Sequence, residues 1–219
     1  MKKEDINPDL YRKILECFLQ SIVKNGLKST TMDSIAASLQ MSKRTLYEIF
    51  GTKEDLFRTA HSYFHNKMRE KLTEIFQNSD NVMEAIIKCF LYNRDLMSHI
   101  SVDFLKDIQN FSSQDQEWKE ARDRSHHQHL IEVIQRGVAE GYFRDDLNLN
   151  VLCRMFTLQM ESLKRAQEIF PEDISLLEVY DNVIVSFLRG ISSNKGLEEI
   201  EKFIPLFNSS LSHHSQEIL

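Results

Sequence analysis

The chain has 219 residues, a net charge of −6, and only 6 Gly and 3 Pro. That length supports a substantial core in one large or two small domains, and the scarcity of turn formers excludes a many-turned β fold. No apolar run approaches a membrane span, and the charged start MKKEDINPDL has no apolar leader. Cys17, Cys89 and Cys153 are distant from one another and set among apolar residues, so they read as reduced core thiols. The chain is therefore expected to be all-α and cytoplasmic.

The first helix starts at Asn7, a good N-cap, with Pro8 in the first helical position. Tyr11, Ile14, Leu15, Phe18 and Ile22 share one face of it. Asn25-Gly26 should stop this helix and let Leu27 fold back onto it. Thr31 caps a short helix over roughly Met32 to Leu39, with Ile35, Ala36 and Leu39 inward. Gln40 and Met41 make a very short connection, and Ser42 caps the next helix, Lys43 to Phe50. That helix buries Leu46 and Phe50 and presents Lys43, Arg44, Thr45, Tyr47 and Glu48 on its other side. Gly51 suits a left-handed helix end. Thr52 then caps a long helix that opens at Lys53, with Glu54 and Asp55 favourably placed against its dipole.

Two short helices, a tight turn and a cationic outer face are how a helix-turn-helix meets a DNA groove. The charge distribution fits. Residues 1–60 carry 10 Lys and Arg against 8 Asp and Glu, a net +2, whereas residues 61–219 carry 17 against 25, a net −8. The charge that displaces counterions from phosphates is confined to the N-terminal part, and the acidic remainder should orient the molecule head-first.

Beyond Lys53, the pattern Leu56, Phe57, Ala60, Phe64, Met68, Leu72, Ile75 and Phe76 runs to a stop near Ser79-Asp80. Further helices are expected over 82–98, 101–111, 115–140, 148–169 and 173–192, with a terminal piece from Leu197 to Phe207 and a fraying tail, SSLSHHSQEIL. No strand alternation or internal repeat is evident.

The run GLKSTTMDSIAASLQMSKRTLYEIFGTKEDLF, Gly26 to Phe57, resembles the N-terminal DNA-binding domain of the TetR/AcrR transcriptional regulators. The matching positions are Gly26, Thr31, Ile35-Ala36, Ser42, Leu46-Tyr47, Phe50, and Lys53 with Leu56. There are two departures. The inter-helix turn lacks the usual Gly, which argues for a turn needing no positive φ or for some strain. Arg44 replaces a small residue early in the recognition helix; it either reads a guanine edge or pairs with a phosphate or with Glu48.

The resemblance implies a helix-turn-helix domain over 1–52 and a helical effector-binding and dimerisation domain over 53–219. It implies a homodimer on a palindromic double-stranded DNA operator, released by a small-molecule effector. Thr31, Ser42, Lys43, Arg44, Thr45, Tyr47 and Lys53 are the expected DNA contacts. The last two long helices would pair across the dimer. They offer Leu152, Met155, Phe156, Gln159, Met160 and Leu163 on one and Val179, Val183, Ile184, Phe187 and Leu188 on the other, some of which must be intrachain core. The middle helices would enclose an effector pocket, for which Phe64, Met68, Phe90, Phe104, Ile108, Trp118 and Phe156 are candidate lining residues.

Other chemistry is thinner. His61 and His65 stand i, i+4, and His126, His127 and His129 cluster near Glu132. No cysteine lies close enough in sequence to complete either set, so no metal or cofactor is expected, and a metal-sensing regulator of the same fold is the alternative. A phosphate loop, a nucleophile elbow and a spaced metal motif are all lacking, which points away from an enzyme. A protein-binding helical adaptor is the remaining class.

Overall fold

The computed structural model describes residues 6–100, 104, 107, 116–171 and 173–209. Helices cover Pro8–Ser29 (α1), Met32–Ser38 (α2), Lys43–Phe50 (α3), Lys53–Gln77 (α4), Val82–His99 (α5), Gln116–Ala139 (α6), Leu149–Ser162 (α7), Ala166–Ile169 (α8), Leu176–Ile191 (α9) and Asn194–Ser209 (α10). Among the described residues there is no strand, only an isolated antiparallel bridge between Phe143 and Ser192. The all-α class expected from composition is the one found. Of the expected 101–111 helix, Phe104 and Asp107 are helical, and the rest lies outside the described residues, as does the tail from 210 onward.

Two compact units divide the chain, one from Met1–Thr73 with His99–Ile108, the other from Glu74–Ser98 with Gln109–Glu217. In the first, the inward face of α1 supplies Ile14, Leu15, Phe18 and Ile22, each at most 2 % exposed. Met32, Ile35 and Ala36 of α2, Leu46, Ile49 and Phe50 of α3, and Leu56, Phe57 and Ala60 of α4 are buried too. Phe18 meets Phe57 edge-on with centroids 6.5 Å apart, and Tyr11 stacks on Phe50 at 5.3 Å. At the rim, Glu16 of α1 accepts hydrogen bonds from Tyr63 Oη at 2.7 Å and Lys67 Nζ at 2.9 Å, both on α4.

The helix breaks at Gly26, as expected, and a further turn follows without a connecting loop. Gly26 adopts φ 78° and ψ 160°, a conformation an L side chain resists, and the chain makes one more turn to Ser29. That turn is held from several sides. The Thr30 amide and hydroxyl both donate to Gly26 O, at 3.3 and 3.0 Å. Lys53 Nζ donates to Leu27 O at 2.7 Å and Thr30 O at 2.9 Å, and the Leu27 amide donates to the Asp107 carboxylate.

In the second unit, Met83, Ile87 and Phe90 of α5 pack with Ile134 of α6, Cys153 of α7 and Val179, Tyr180, Ile184, Leu188 and Ile191 of α9. Phe90 lies flat on Tyr180, with centroids 5.5 Å apart and planes 2° apart. Arg94 Nε donates to both oxygens of Asp181, at 2.9 and 3.0 Å, joining α5 to α9. Burial pushes the Asp181 carboxyl up and Arg94 pulls it back only in part. Burial likewise raises the Cys89 thiol to about 12, so it stays protonated.

The connection after α6 is tied to the α9–α10 turn. Arg144 N–H donates to Ile191 O and Ser193 N–H to Tyr142 O, both at 2.9 Å. Gly196 permits this approach, because a Cβ there would lie 2.1 Å from Tyr142 O. The expected 148–169 helix is interrupted by a 3₁₀ turn at Leu163–Arg165. Nothing in the structure explains that break, since neither Pro nor Gly falls there.

α7 turns Leu152, Cys153, Phe156 and Met160 toward its own chain's core, joined by Leu163 of the 3₁₀ turn, and Phe156 meets Phe187 of α9 at 4.3 Å. The large apolar residues it leaves outward are Val151, Met155 and Leu158, which are 55, 55 and 65 % exposed. At i, i+4, i+7 they form one apolar stripe. Of the side chains picked for a subunit contact, Leu163, Val179, Ile184 and Leu188 are buried in their own chain, Leu152, Phe156, Met160, Val183 and Phe187 are partly buried, and Met155 and Gln159 are exposed.

Candidate nucleic-acid interface

Each of α1, α2, α3 and α4 begins with a side-chain cap. Asn7 Oδ1 accepts from Asp9 N at 2.8 Å. Thr31 Oγ1 accepts from Ser34 N at 3.0 Å while Ser34 Oγ accepts from Thr31 N at 3.1 Å, a reciprocal box. Ser42 Oγ accepts from Thr45 N at 3.0 Å and lies 2.8 Å from Thr45 Oγ1. Thr52 Oγ1 accepts from Asp55 N at 3.1 Å and donates to Asp55 Oδ2 at 2.7 Å. These caps satisfy orphan amides and fix where each helix starts.

The turn between α2 and α3 is a Schellman-type end without glycine. Met41 N–H donates to Ala36 O at 2.9 Å and Gln40 N–H to Ala37 O at 3.1 Å. Gln40 sits at φ 52°, the sole non-Gly residue with positive φ among those described. Of the two consequences expected from the missing glycine, the strained turn is the one found.

With α3 so placed, Leu46, Ile49 and Phe50 are buried and its other side faces outward. The Arg44 side chain is 88 % exposed, with Nε 2.9 Å from Glu48 Oε1, and Tyr47 is 42 % exposed. That contact holds the Glu48 carboxyl below the usual carboxylate range. Lys43 Nζ lies 2.6 Å from Asp33 on α2 and 5.8 Å from the Tyr47 ring centroid. Asp33 raises the Lys43 pKa, so this ammonium is firmly charged. Thr31, Ser42, Lys43, Arg44, Thr45 and Tyr47 share the exposed or partly exposed surface of α2–α3.

Lys53 differs. Its ammonium is partly buried on the carbonyls that close α1, so at least two of its three N–H groups serve the fold. Reasoning from sequence missed this clamp, the Asp33 partner of Lys43 and the buried Ile49. The Glu48 partner of Arg44 was legible from its i, i+4 spacing.

The sequence profile described as "Bacterial regulatory proteins, tetR family" matches residues 14–60, the span of this helix-turn-helix and its supports. Residues 14–60 are thus a TetR-family DNA-binding segment. The chain is a DNA-binding transcriptional regulator. It is 24 % identical over 146 residues to the HTH-type transcriptional repressor KstR2 of Mycobacterium tuberculosis, covering 65 % of this chain and 73 % of that one. It is 25 % identical over 195 residues to the HTH-type transcriptional regulator YhgD of Bacillus subtilis, covering 85 % and 98 %. A transcriptional regulator from Saccharomonospora viridis solved in complex with choline shares the fold, with a TM-score of 0.67 at 16 % identity over 86 % of this chain and 100 % of that one.

The other predicted residues are spread out. Phe64, Met68 and Phe104 belong to the first unit, and Phe90 and Phe156 to the second. Phe90 and Phe104 are 4 and 3 % exposed, whereas Phe64, Met68 and Phe156 are partly buried. Ile108 and the Trp118 side chain lie outside the described residues, as does the His126 side chain. His129 is exposed against Phe76, and Glu132 accepts from Gln128 Nε2 at 2.9 Å. Among the described residues no three His, Cys, Asp or Glu side chains converge on one point, and no helix is long and apolar enough to cross a membrane.

Proposed function

We propose that this regulator is a repressor that binds a palindromic operator as a homodimer and leaves it when a small-molecule effector binds. In this reading residues 1–52 engage DNA, and residues 53–219 bind the effector and pair the subunits. Each subunit lays α3 in a major groove. Lys43, Arg44 and Thr45 reach base edges or adjacent phosphates, and Tyr47 offers its hydroxyl to a phosphate. Thr31, Ser42 and Lys53 bring three helix starts to backbone oxygens.

The outward face of α3 carries the reading. Arg44, 88 % exposed, is held by a solvent-screened surface ion pair to Glu48 that is weak enough to exchange. A bidentate contact to a guanine edge discriminates against the wrong base by about 1–3 kcal/mol. The exposed stripe Val151, Met155 and Leu158 supports pairing of two copies, because an apolar row of that kind on a helix is normally covered. A twofold dimer then matches a twofold site. The effector candidates remain Phe64, Met68, Phe90, Phe104, Ile108, Trp118 and Phe156, whose apolar and aromatic character suits an apolar or aromatic ligand. Such a regulator works in the cytoplasm and catalyses no reaction.

Selection from a random duplex pool, followed by binding titrations at several salt concentrations, tests the proposal. A palindrome with half-sites about one helical turn apart is expected, bound with a steep inverse salt dependence. A single asymmetric site overturns the dimer. Failure to enrich any duplex returns the chain to the adaptor class.

A further inference from the structure

Lys43 and Arg44 are consecutive cations at the start of α3, and their carboxylate partners come from different sources. Arg44 Nε is 2.9 Å from Glu48 Oε1, one turn further along the same helix, a pairing that helical spacing alone supplies. The partner of Lys43 stands ten residues earlier, on α2. It is within reach because the turn closed by Met41 N–H on Ala36 O folds α3 against α2. Lys43 Nζ is 2.6 Å from Asp33 Oδ1 and donates to Oδ2 at 2.9 Å, so the ammonium straddles the carboxylate.

α2 does not need Asp33 as its cap, since Thr31 and Ser34 already exchange hydrogen bonds at that helix start. Lys43, by contrast, gains from a partner. As the first residue of α3 it lies where the helix dipole opposes a cation, and Asp33 holds it firmly in the charged form. Both side chains are more than half exposed, on the α2–α3 surface that also carries Arg44 and Tyr47. The pair therefore meets a duplex as a couple of no net charge. To neutralise a phosphate, Lys43 must turn from Asp33 and leave a carboxylate unmatched beside a polyanion. That loss is the same for every sequence, because phosphates carry no base information.

We propose that Asp33 limits the affinity of the DNA interface: it competes with a DNA phosphate for the Lys43 ammonium, weakening binding to every duplex without changing which sequence is preferred. This rests on the reading of α3 as the groove-facing helix and deepens it. Asp33 acts through Lys43, so it is a positioning residue and not itself a DNA contact. A lowered ceiling on operator affinity lets an effector with modest differential affinity for the two states empty the site.

The test is a double-mutant cycle on the full chain. Wild type, Asp33→Asn, Lys43→Ala and the double variant are titrated with the selected operator duplex and with a scrambled duplex of equal length, between about 50 and 200 mM salt. Asp33→Asn should bind both duplexes about two- to fivefold more tightly, the strength of an exposed ion pair converted to affinity. Its salt slope should steepen by up to about one unit, and the ratio of the two affinities should stay the same. The gain from Asp33→Asn should shrink when Lys43 is already Ala. Asp33→Glu, which keeps the charge, should restore the wild-type slope. Asp33→Asn with wild-type affinity and slope on both duplexes overturns the proposal while leaving the groove-facing reading intact. An equal gain in the two Lys43 backgrounds also overturns it, because Asp33 would then repel DNA on its own. A gain confined to the operator does the same, since Lys43 would then read a base. Wild-type protein that binds neither duplex in a salt-sensitive way instead removes the groove-facing reading, and the proposal with it.

Discussion

The outward faces of α3 and α7 are both exposed, yet they are built for opposite partners. On α3, Arg44 is 88 % exposed and Lys43, Thr45 and Tyr47 surround it with charge and hydroxyls. On α7, Leu158 is 65 % exposed and its neighbours one turn away are Val151 and Met155. Water solvates the first face well, and only a polyanion improves on it, by releasing counterions. Water solvates the second poorly, and a like apolar face improves on it. Both helices bury an apolar row, and they differ in the row each leaves outward, charged and hydroxylic on α3 and apolar on α7.

The largest effect should come from spoiling the apolar face. Leu158→Asp places an unpaired charge in the proposed subunit contact, at a cost of about 3–5 kcal/mol. Sedimentation should show monomer, and binding to a two-half-site duplex should weaken by at least about a hundredfold. If Leu158→Asp remains dimeric, α7 is not the contact.

Arg44→Ala sharpens the other face. A loss of about 1–3 kcal/mol at the cognate site, with relaxed specificity at one base pair, marks base reading. Uniform weakening across sequences marks a phosphate contact instead. Lys53→Ala should act on both fold and binding. Losing two charge-assisted hydrogen bonds to Leu27 O and Thr30 O should cost roughly 1.5–3 kcal/mol in urea unfolding. Operator affinity should fall alike for all sequences, with the salt slope reduced by about one. An unchanged unfolding midpoint removes the clamp, and an unchanged slope removes the phosphate role.

Gln40→Gly should stabilise. It relieves a left-handed non-glycine residue whose strain is of order 1 kcal/mol, and the gain should appear as a higher urea midpoint with the operator site unaltered. The smallest effect concerns pH. Burial pushes the Glu16 carboxyl up, but the Lys67 and Tyr63 hydrogen bonds and the nearby Lys67 and Arg12 charges bring it below its ordinary value. A depressed carboxyl stabilises the fold above its unfolded pKa of about 4.3, and that contribution disappears as pH falls through the folded value. Glu16→Gln should therefore flatten the stability loss of the N-terminal unit between about pH 4.5 and the acid transition.

Much of the N-terminal unit was legible because its information is local. Asn7, Thr31, Ser42 and Thr52 cap the helices they precede in sequence, and Leu46 and Phe50 lie one turn apart. A cap or an i, i+4 pair is decided by a handful of consecutive residues. The strain at Gln40 was foreseen as one of two outcomes and needed the backbone to choose. The break at Gly26 was legible from the glycine, but the further turn to Ser29 was not, because its support comes from Lys53 and Asp107, far along the chain.

Sequence by itself determined the helical class, the capped helix-turn-helix and the polar outer face of α3, all consequences of periodicity and neighbouring residues. Tertiary structure alone decided that Lys53 clamps α1, that Asp33 holds Lys43, that α7 turns Val151, Met155 and Leu158 outward, and that His61 and His65 of α4 meet at Nε2. Periodicity tells which residues share a face, but which face finds a partner depends on packing between segments distant in the chain.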